Sequence, residues 1–362
     1  MQRARRWRWT FLVFVACAAA PRKSDDAPPP APEEAVTALF ARAYTALSEG
    51  ASDELAALFT DDALVFGPGP SETWHSGEVN QRVRQSMLPI GLTGVAVRVD
   101  ESRVLVGVEA DGRAAWASDL PRVTTTSQGR DEVWLPRITA HLLLVENGWR
   151  VDALHVSLAV PDETLSAPGA ARRLLPPVDV PNQRPTDADQ LVGLVRRALD
   201  DYAVKVERTS ERPEFLQVGT SPTEIFPDGK SFKALIKPQL GAIKKANYSW
   251  KLDGNLAVKL SPGGRSGWAA AVVVQRAGKG SREQVFPPFR FLWTLSEEGG
   301  VWNITSEHQS LAVNPELREP ATAAEREGWK AVKAVLKKVV SEGKPAPKPA
   351  PAAAPDAGVS VW

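Results

Sequence analysis

Three side chains in the first half of the sequence could carry acid–base chemistry: Asp119, His141 and His155. Asp119 lies in an apolar run (AAWASDLP), where an unpaired charge is costly to bury and burial raises the pKa of a carboxyl group. Such a carboxylate can act as a general base, and histidine side chains can act as general acids or bases. If the three converged in one pocket, they would form a catalytic site. The alternative is an Asp119 that points outward or lies at the sheet edge, paired with Arg137 or another nearby lysine or arginine.

The two histidine motifs favour a structural role over catalysis. His155 and His308 each precede a serine by two residues, in the matching sequences HVSLAV and HQSLAV. Other polar residues are not repeated in the same way. At the positions that match Asp119 and His141, the second half of the sequence has alanine and threonine. A buried histidine that is hydrogen-bonded at the end of a strand explains this pattern. The sequence therefore favours a non-catalytic protein.

Ligand-binding candidates are mainly tryptophans, since a large aromatic ring can line a pocket. Trp116 and Trp268 fall on expected strands at core spacing, where filling the core is the simpler role. Trp74 and Trp250 are explained less well by that spacing and could line a pocket or its rim. The full set of candidates is Trp74, Trp116, Trp250, Trp268 and His308.

Composition excludes several other kinds of site. The single cysteine, Cys17, rules out an intramolecular disulfide framework and a cysteine-based metal cluster, and the four histidines show no HxxxH or HExxH spacing. Lysine and arginine total 44 against 43 acidic residues, a net charge of +1. This balance gives no reason to expect nucleic-acid binding. We expect neither a metal nor a cofactor.

The elements that position these residues are duplicated. The turn at residues 67–72 (GPGPSE) matches residues 219–224 (GTSPTE) at an offset of 152. Further pairs follow in the same order, with one residue of slippage: Gly77 and Gly229, Gly112 and Gly264, Trp116 and Trp268, Arg137 and Arg290, Trp149 and Trp302. So many ordered matches indicate two copies of one domain.

Each copy begins with helical segments and continues with strands. Apolar spacing predicts helices over residues 34–49, 52–59, 79–87, 187–206 (with Asp187 as N-cap) and 231–243. Strands are predicted over residues 95–99, 104–109, 114–120, 138–145 and 149–156, with Asp-Gly and Asn-Gly turns typical of hairpins. This order predicts an α+β domain whose helices pack on one face of a curved antiparallel sheet.

Strict alternation along the closing strand assigns its two faces. One face carries Trp149, His155 and Ser157, and the opposite face carries Arg150 and Asp152. The second copy repeats the pattern with Trp302, Ile304, Ser306, His308 and Ser310. We expect the tryptophan-and-histidine face to be the inner one, toward the helices.

The turns, the strand AWASD at residues 115–119 and the closing strand at residues 148–157 together resemble the SnoaL-like branch of the nuclear-transport-factor-2-like superfamily. The resemblance covers residues 35–160 and 188–315. It implies two tandem cone-shaped α+β domains, each with a pocket between helices and sheet, which form an intramolecular pseudo-dimer. The superfamily holds non-catalytic domains alongside enzymes such as ketosteroid isomerase and polyketide cyclases. The enzyme alternative is therefore an isomerase or cyclase acting on a hydrophobic ring, using Asp119, His141 and His155.

The amino terminus has the form of an export signal. A basic segment (residues 2–8) precedes an apolar one (residues 9–16) and small residues around Cys17. The sequence FVAC resembles a bacterial lipobox but has Phe14 where leucine is usual. We expect a lipid anchor on Cys17 and a location at the membrane, facing the periplasm. Ordinary cleavage would instead give a soluble periplasmic or secreted protein.

The expected organisation has seven segments. They are a signal (residues 1–17), a Pro/Ala-rich tether (18–33), the first domain (34–162), a linker (163–186), the second domain (187–318), an amphipathic helix (319–343) and a Lys/Pro/Ala tail (344–362). The helix either packs on the second domain or binds a membrane surface or partner.

The expected function is a binding module of the cell envelope. Its partner would be a small hydrophobic ligand or an envelope protein, with the membrane held through Cys17 and no nucleic acid involved. A third alternative is a purely structural scaffold whose helix and tail make the interaction.

Overall fold

The computed structural model describes residues 30–86, 96–161, 164, 170–185 and 187–342. The helices of the first copy are α1 (Pro32–Glu49), α2 (Ser52–Ala56) and α3 (Gly77–Ser86). Its strands are β1 (Phe59–Phe66), β2 (Thr73–His75), β3 (Ala96–Glu101), β4 (Leu105–Val108), β5 (Ala114–Asp119), β6 (Arg122–Ser127), β7 (Arg130–Trp134), β8 (Arg137–Val145) and β9 (Gly148–Ser157). A short helix α4 (Ala170–Arg173) precedes the second copy.

The second copy repeats the order of helices before strands. Its helices are α5 (Asp189–Asp200), α6 (Tyr202–Arg208), α7 (Gly229–Ile236) and α8 (Leu240–Lys245), and its strands are β10 (Leu216–Val218), β11 (Ile225–Phe226), β12 (Ser249–Leu260), β13 (Ser266–Ala277), β14 (Gln284–Val285), β15 (Phe289–Glu298) and β16 (Val301–Leu311). Single 3-10 turns cover Lys237–Gln239, Gly280–Arg282 and Pro315–Leu317. The final helix is α9 (Ala323–Glu342).

Each copy has one main sheet with the same strand order. The first sheet runs β2-β1-β9-β8-β5-β4 and the second runs β11-β10-β16-β15-β13-β12, with β14 beside β13. In both sheets the closing strand pairs in parallel with an early strand, β1 with β9 and β10 with β16, while the other pairs are antiparallel. Strands β3, β6 and β7 form a separate sheet.

Helices cover one face of each main sheet because their apolar residues recur every three or four positions. In α1 the buried residues Val36, Leu39 and Phe40 pack on Leu142 and other residues of the first sheet. In α5 the buried residues are Leu191, Leu194, Val195, Ala198 and Leu199. The predicted α+β class, with helices on a curved sheet in each half, is confirmed.

A β-bulge in each closing strand corrects the predicted face assignment. The register between β8 and β9 shifts at Asp152, and the register between β15 and β16 shifts at Thr305. One extra residue reverses the alternation beyond it. Trp149 and Val151 therefore face the first helical core, whereas His155 and Ser157 face away from it. The prediction that the histidines point toward the helices is wrong.

The faces that the helices leave open pack against each other. Apolar residues of both sheets form one buried cluster there: Leu64, Phe66, Ala153, Val180, Ala257, Trp268, Ala270 and Leu292. We call this sheet-to-sheet contact the junction. The histidine motifs of both copies lie in it.

Several predicted boundaries differ from the structure. Helix α2 ends at Ala56, and residues from Phe59 form a strand that sequence analysis missed. Helix α5 follows Ala188, which makes no side-chain cap, so the predicted capping role of Asp187 is wrong. Residues 319–321 are not helical; one of them, Ala321, donates its N–H to the Val133 carbonyl at 2.7 Å.

Helix α9 packs on both copies. Its N-terminus is a capping box, in which Thr322 and Glu325 each accept the backbone N–H of the other. Leu336 and Val332 then join a cluster with Leu105 and Leu120 of the first copy and with Leu216, Val218 and Ile225 of the second. The prediction that this helix packs on the second copy is therefore incomplete, because the helix also packs on the first.

Candidate functional site

The two histidine motifs bond to each other across the junction. The rings of His155 and His308 stack with centroids 3.9 Å apart and planes at 14°. Nε2 of His155 lies 2.7 Å from the Ser310 hydroxyl, and Nε2 of His308 lies 2.7 Å from the Ser157 hydroxyl. Each copy thus supplies the partner that the other copy's histidine needs.

Both histidines are held in the neutral form. Burial lowers the pKa of His155 and of His308 well below the ordinary 6.5, and the nearby positive charge of Arg137 acts in the same direction. A neutral imidazole ring can donate a hydrogen bond to a serine hydroxyl, or accept one from it, without burying a charge.

Arg137 and Arg290 each reach from one copy into the Gly/Pro turn of the other. Arg290 donates to the carbonyls of Gly67 (2.7 Å), Gly69 (2.8 Å) and Pro70 (2.6 Å). Arg137 donates to the carbonyls of Gly219 (2.8 Å), Thr220 (3.3 Å) and Ser221 (3.2 Å). Burial lowers the pKa of both guanidinium groups to about 10, so both stay charged at neutral pH.

The turns themselves need glycine because a glutamate folds back over them. Gly219 donates its N–H to the Glu224 carbonyl at 2.7 Å, and a Cβ on Gly219 would lie 2.5 Å from the Glu224 side chain. The Glu224 carboxylate also accepts the Ser221 N–H at 3.0 Å. The repeated Gly-x-x-Pro-x-Glu sequence therefore forms a turn whose carbonyl groups an arginine of the other copy binds. We call these contacts of Arg137 and Arg290 the arginine grips.

Asp119 is buried and its carboxylate is fully engaged. It accepts hydrogen bonds from the Tyr44 hydroxyl (2.8 Å), the Ser102 hydroxyl and the N–H groups of Arg103 (2.9 Å) and Leu120 (2.7 Å). The Lys333 ammonium of α9 lies 3.9 Å away. Arg137 is not its partner, because that side chain is bound in the junction; the nearby cation is Lys333, and Asp119 is buried instead of pointing outward.

The structure does not bring Asp119, His141 and His155 together. Paired residues on neighbouring strands share a face of the sheet. Asp119 pairs with Ile138, which belongs to the helical core. His141 pairs with Ala153 in the junction, and His155 also lies there. Asp119 is thus separated from both histidines by the sheet.

His141 belongs to a polar cluster around the bulged Asp152. Its Nδ1 lies 3.3 Å from the Asp152 carboxylate, which also accepts the Trp268 indole N–H at 2.8 Å and contacts the Lys259 ammonium. The Nε2 atom of His141 lies 3.1 Å from the Ser266 hydroxyl. Burial opposes ionisation of Asp152, but His141 and Lys259 outweigh it and lower its pKa below 3.8. Asp152 thus lies on the face opposite Trp149, as alternation predicts, but it shares that face with His155.

The four candidate tryptophans present almost no ring surface to solvent; the largest exposed fraction, at Trp74, is 5%. Trp74 packs in the first helical core and Trp268 in the junction. The Trp116 ring lies against Gly107, where a Cβ would come within 2.2 Å of it. Their role in ligand binding stays a prediction.

The cone of the first copy is largely filled. A narrow apolar cleft of about 50 Å³ remains between the helices and the sheet, bordered by Phe40, Tyr44, Phe59 and Leu154. One buried water needs at least roughly 10–15 Å³, so this space is far below that of a small-molecule pocket.

A buried ion pair lies in the cone of the second copy. The Lys205 ammonium is 2.7 Å from the Glu307 carboxylate, and both side chains are at most 1% exposed. The rings of Trp250 and Tyr202 lie 4.4 and 4.7 Å from the Lys205 ammonium. Aromatic faces stabilise a desolvated cation, so this lysine fills the space where a ligand would sit.

An open groove of about 580 Å³ lies where α9 meets both copies. We call it the C-terminal groove. Its apolar lining comes from several segments that are distant in sequence and includes Leu158, Pro161, Pro222, Ile225, Trp329 and Val332. The volume lies within the range of roughly 300–1,000 Å³ that is usual for ligand pockets.

Polar side chains in the C-terminal groove already have partners. Arg137 binds the turn carbonyls, Glu319 pairs with Arg173 at 3.3 Å, and Thr223 bonds Ser221 at 3.1 Å. The capping box engages the remaining two, Thr322 and Glu325. The groove therefore offers mainly apolar surface.

Cys17 and the export signal lie outside the described residues. Within the described part of the chain, no helix is long and apolar enough to cross a membrane. That part also contains no group of three or more His, Cys, Asp or Glu side chains placed to hold a metal ion.

Sequence reasoning missed the arginine grip, the Lys205–Glu307 pair and the C-terminal groove. Arg137 and Arg290 occupy matching positions in both copies, as do the turns they bind, and this joint repetition was a usable signal. Lys205 carried no such signal, since it lies within an amphipathic helix where lysine normally faces water.

Residues 36–161 match the family model of the SnoaL-like domain. Solved structures similar to part of the chain include an NTF2-like protein with a cystatin-like fold from Novosphingobium aromaticivorans (19% identity, 39% of this chain and 86% of that one, TM-score 0.29). Another is an NTF2-like protein from Pseudomonas putida (18% identity, 36% and 87%, TM-score 0.31). None of the curated protein sequences matches this chain. Residues 36–161, which form the first copy, are therefore similar to the SnoaL-like domain.

Proposed function

We propose that this protein is a non-catalytic binding module of the bacterial envelope, exported and lipid-anchored through Cys17. Both copies are SnoaL-like domains that act as one intramolecular pseudo-dimer. The ligand is apolar and binds in the C-terminal groove. The basic and apolar segments before Cys17 support export, and the Pro/Ala-rich residues 18–33 supply a spacer from the membrane.

The observation that carries this proposal is the chemistry of the C-terminal groove. Indole and aliphatic surfaces line it, and each polar side chain of its lining already has a partner within the protein. An apolar ligand would gain from removal of this surface from water, at about 25 cal/mol per Å², without breaking a hydrogen bond. A strongly polar ligand would find few free partners there.

The interiors of the two cones are less suited to a ligand than the C-terminal groove is. The first contains about 50 Å³ of free space and the second a buried Lys205. Asp119, the carboxylate best suited to act as a base, is engaged by four hydrogen-bond donors. Binding without chemistry therefore fits the described residues better than catalysis inside a cone.

Titration with 1-anilinonaphthalene-8-sulfonate, a dye with an apolar aromatic body and one sulfonate group, tests the site. Ala324 and Ala331 are both exposed on α9, but only Ala324 lines the groove. We expect the full chain to bind the dye saturably, as followed by dye fluorescence. Ala324→Trp should lower the affinity for the dye at least tenfold, and Ala331→Trp should leave that affinity unchanged. Equal binding by both variants would refute the groove as the site.

Membrane attachment is tested separately with radiolabelled palmitate in cells. The wild-type chain should take up the label and sediment with membranes. Cys17→Ala should lose the label and appear in the soluble fraction. Label retained by that variant would place the modification elsewhere and refute the anchor on Cys17.

A further inference from the structure

The duplication gives the C-terminal groove an equivalent on the opposite side of the junction. Four lining residues, Ala159, Pro161, Pro222 and Ile225, correspond in the repeat alignment to Ala312, Asn314, Pro70 and Thr73. The backbone geometry also corresponds. Val160 donates to the Thr220 carbonyl at 3.0 Å, and the equivalent Val313 donates to the Pro68 carbonyl at 2.7 Å.

On that opposite side the position is occupied by the chain itself. After α4, residues 174–181 (LLPPVDVP) of the segment that joins the copies lie along it in an extended form. Its N–H groups at Leu175 and Val178 donate to the carbonyls of Ala312 (3.0 Å) and Pro70 (2.8 Å). Leu174 and Val180 are buried, with exposed fractions of 7% and 2%. An extended, proline-containing apolar segment therefore fits this surface.

The C-terminal groove presents the same acceptors without a donor. Among the described residues, no N–H group bonds the carbonyl of Ala159 or of Pro222, the equivalents of Ala312 and Pro70. One difference is that Pro161 lacks the N–H that Asn314 donates to the Arg173 carbonyl at 2.8 Å. The indole of Trp329 adds an aromatic wall, and aromatic walls are typical of grooves that bind extended proline-rich segments.

We propose that the proline-rich tail of this chain, residues 343–362, occupies the C-terminal groove in the resting protein and competes with its apolar ligand. This inference rests on the groove being the binding site. The tail sequence KPAPKPAPAAAP repeats the proline-rich chemistry of the linker. Alternating prolines favour the extended polyproline conformation before binding, which lowers the entropic cost.

Position and charge make the tail the fitting occupant. It follows directly from α9, whose Trp329 and Val332 line the groove. From Trp329 to the end of α9 at Glu342 the helix runs about 20 Å, whereas 20 extended residues reach about 62 Å, so the tail can fold back. Lys344 and Lys348 would meet Glu319 and Glu325 of the groove lining. Attachment to α9 also gives the tail an effective concentration of about millimolar.

Dye titration of full-length variants tests the inference. One variant replaces the tail prolines Pro345, Pro347 and Pro349 with glycine. The matched control makes the same change at Pro28, Pro29 and Pro30 of the tether. We expect the tail variant to bind dye at least threefold more tightly than wild type and the tether variant to bind as wild type. A synthetic peptide of residues 343–362 should then displace dye from the tail variant.

The outcomes separate the two proposals. Equal dye affinity in the tail variant and wild type, with no displacement by peptide, would overturn the tail as occupant. Tighter binding in the tether variant alone would also overturn it in favour of the tether. In both cases, dye binding that remains sensitive to Ala324→Trp would leave the proposed function standing. Loss of that sensitivity would refute the groove itself.

Discussion

At the scale of single residues, the polar groups repeated in both copies are those that bond across the junction. His155 with Ser310 and His308 with Ser157 form a reciprocal pair of hydrogen bonds, so each motif is incomplete within its own copy. Of the polar groups present in one copy only, Asp119 bonds residues of its own copy, whereas His141 also bonds Ser266 across the junction. Repetition here marks residues that connect the copies.

The buried histidines predict that the protein loses stability in mild acid. Both have a pKa in the folded state below the ordinary 6.5, so below about pH 6.5 the unfolded chain binds more protons. The free energy of unfolding should therefore decrease as the pH is lowered. The decrease is up to about 2.7 kcal/mol per pH unit, because each of the two groups contributes up to about 1.36 kcal/mol. Urea titrations from about pH 7.5 to about pH 5.5 measure this slope.

Substitutions identify the source of the slope. The double variant His155→Asn/His308→Asn should be less stable at neutral pH but lose most of the pH dependence. His75→Asn, at an exposed position, should keep the wild-type slope. An unchanged slope in the double variant would show that other groups cause it.

At the scale of elements, the sequence predicts the helices and most strands well because their apolar spacing is regular. It does not predict the faces of the closing strands, since a single bulged residue at Asp152 or Thr305 reverses every later side chain. It also misses β2, β6 and β7. It misses β1 as well, whose sequence FTDDALVF comes soon after a helix and shows no clean alternation. Strand β1 is instead held by its parallel pairing with β9, which is distant in sequence.

The arginine grips predict symmetric losses of stability. Removal of Arg137 or Arg290 takes a donor from three turn carbonyls of the opposite copy. Backbone N–H groups still bond two of the three on each side, so Gly219 or Gly67 keeps no donor among the described residues. We expect Arg137→Ala and Arg290→Ala each to lower the free energy of unfolding by about 1–3 kcal/mol, because this is the cost of one unsatisfied buried group. Urea unfolding at pH 7 provides the measurement.

A surface arginine serves as control for this comparison. Arg276 pairs with Glu283 and is 41% exposed, so Arg276→Ala should cost less than about 1 kcal/mol. If either grip variant lost no more than this control, the grips would not hold the copies together. Losses that differed widely between Arg137 and Arg290 would contradict their equivalence.

At the scale of the whole molecule, duplication uses one face of each sheet for the helical core and the other for the junction. The cones are then filled, by apolar side chains in the first copy and by Lys205 in the second. Open concave surface remains where α9 closes against both copies. Sequence reasoning could not locate this surface, because it is built from segments near residues 120, 160, 225 and 330 that no motif connects.

The most direct test of this account is photolabelling of the full chain with a small apolar diazirine, with the labelled residues mapped by mass spectrometry. The account predicts label at the C-terminal groove, on residues such as Ile225, Trp329 and Val332. It also predicts that Ala324→Trp suppresses this label and that Ala331→Trp does not. Label concentrated on Phe40, Phe59 and Leu154 would place the binding site in the first cone and contradict the account.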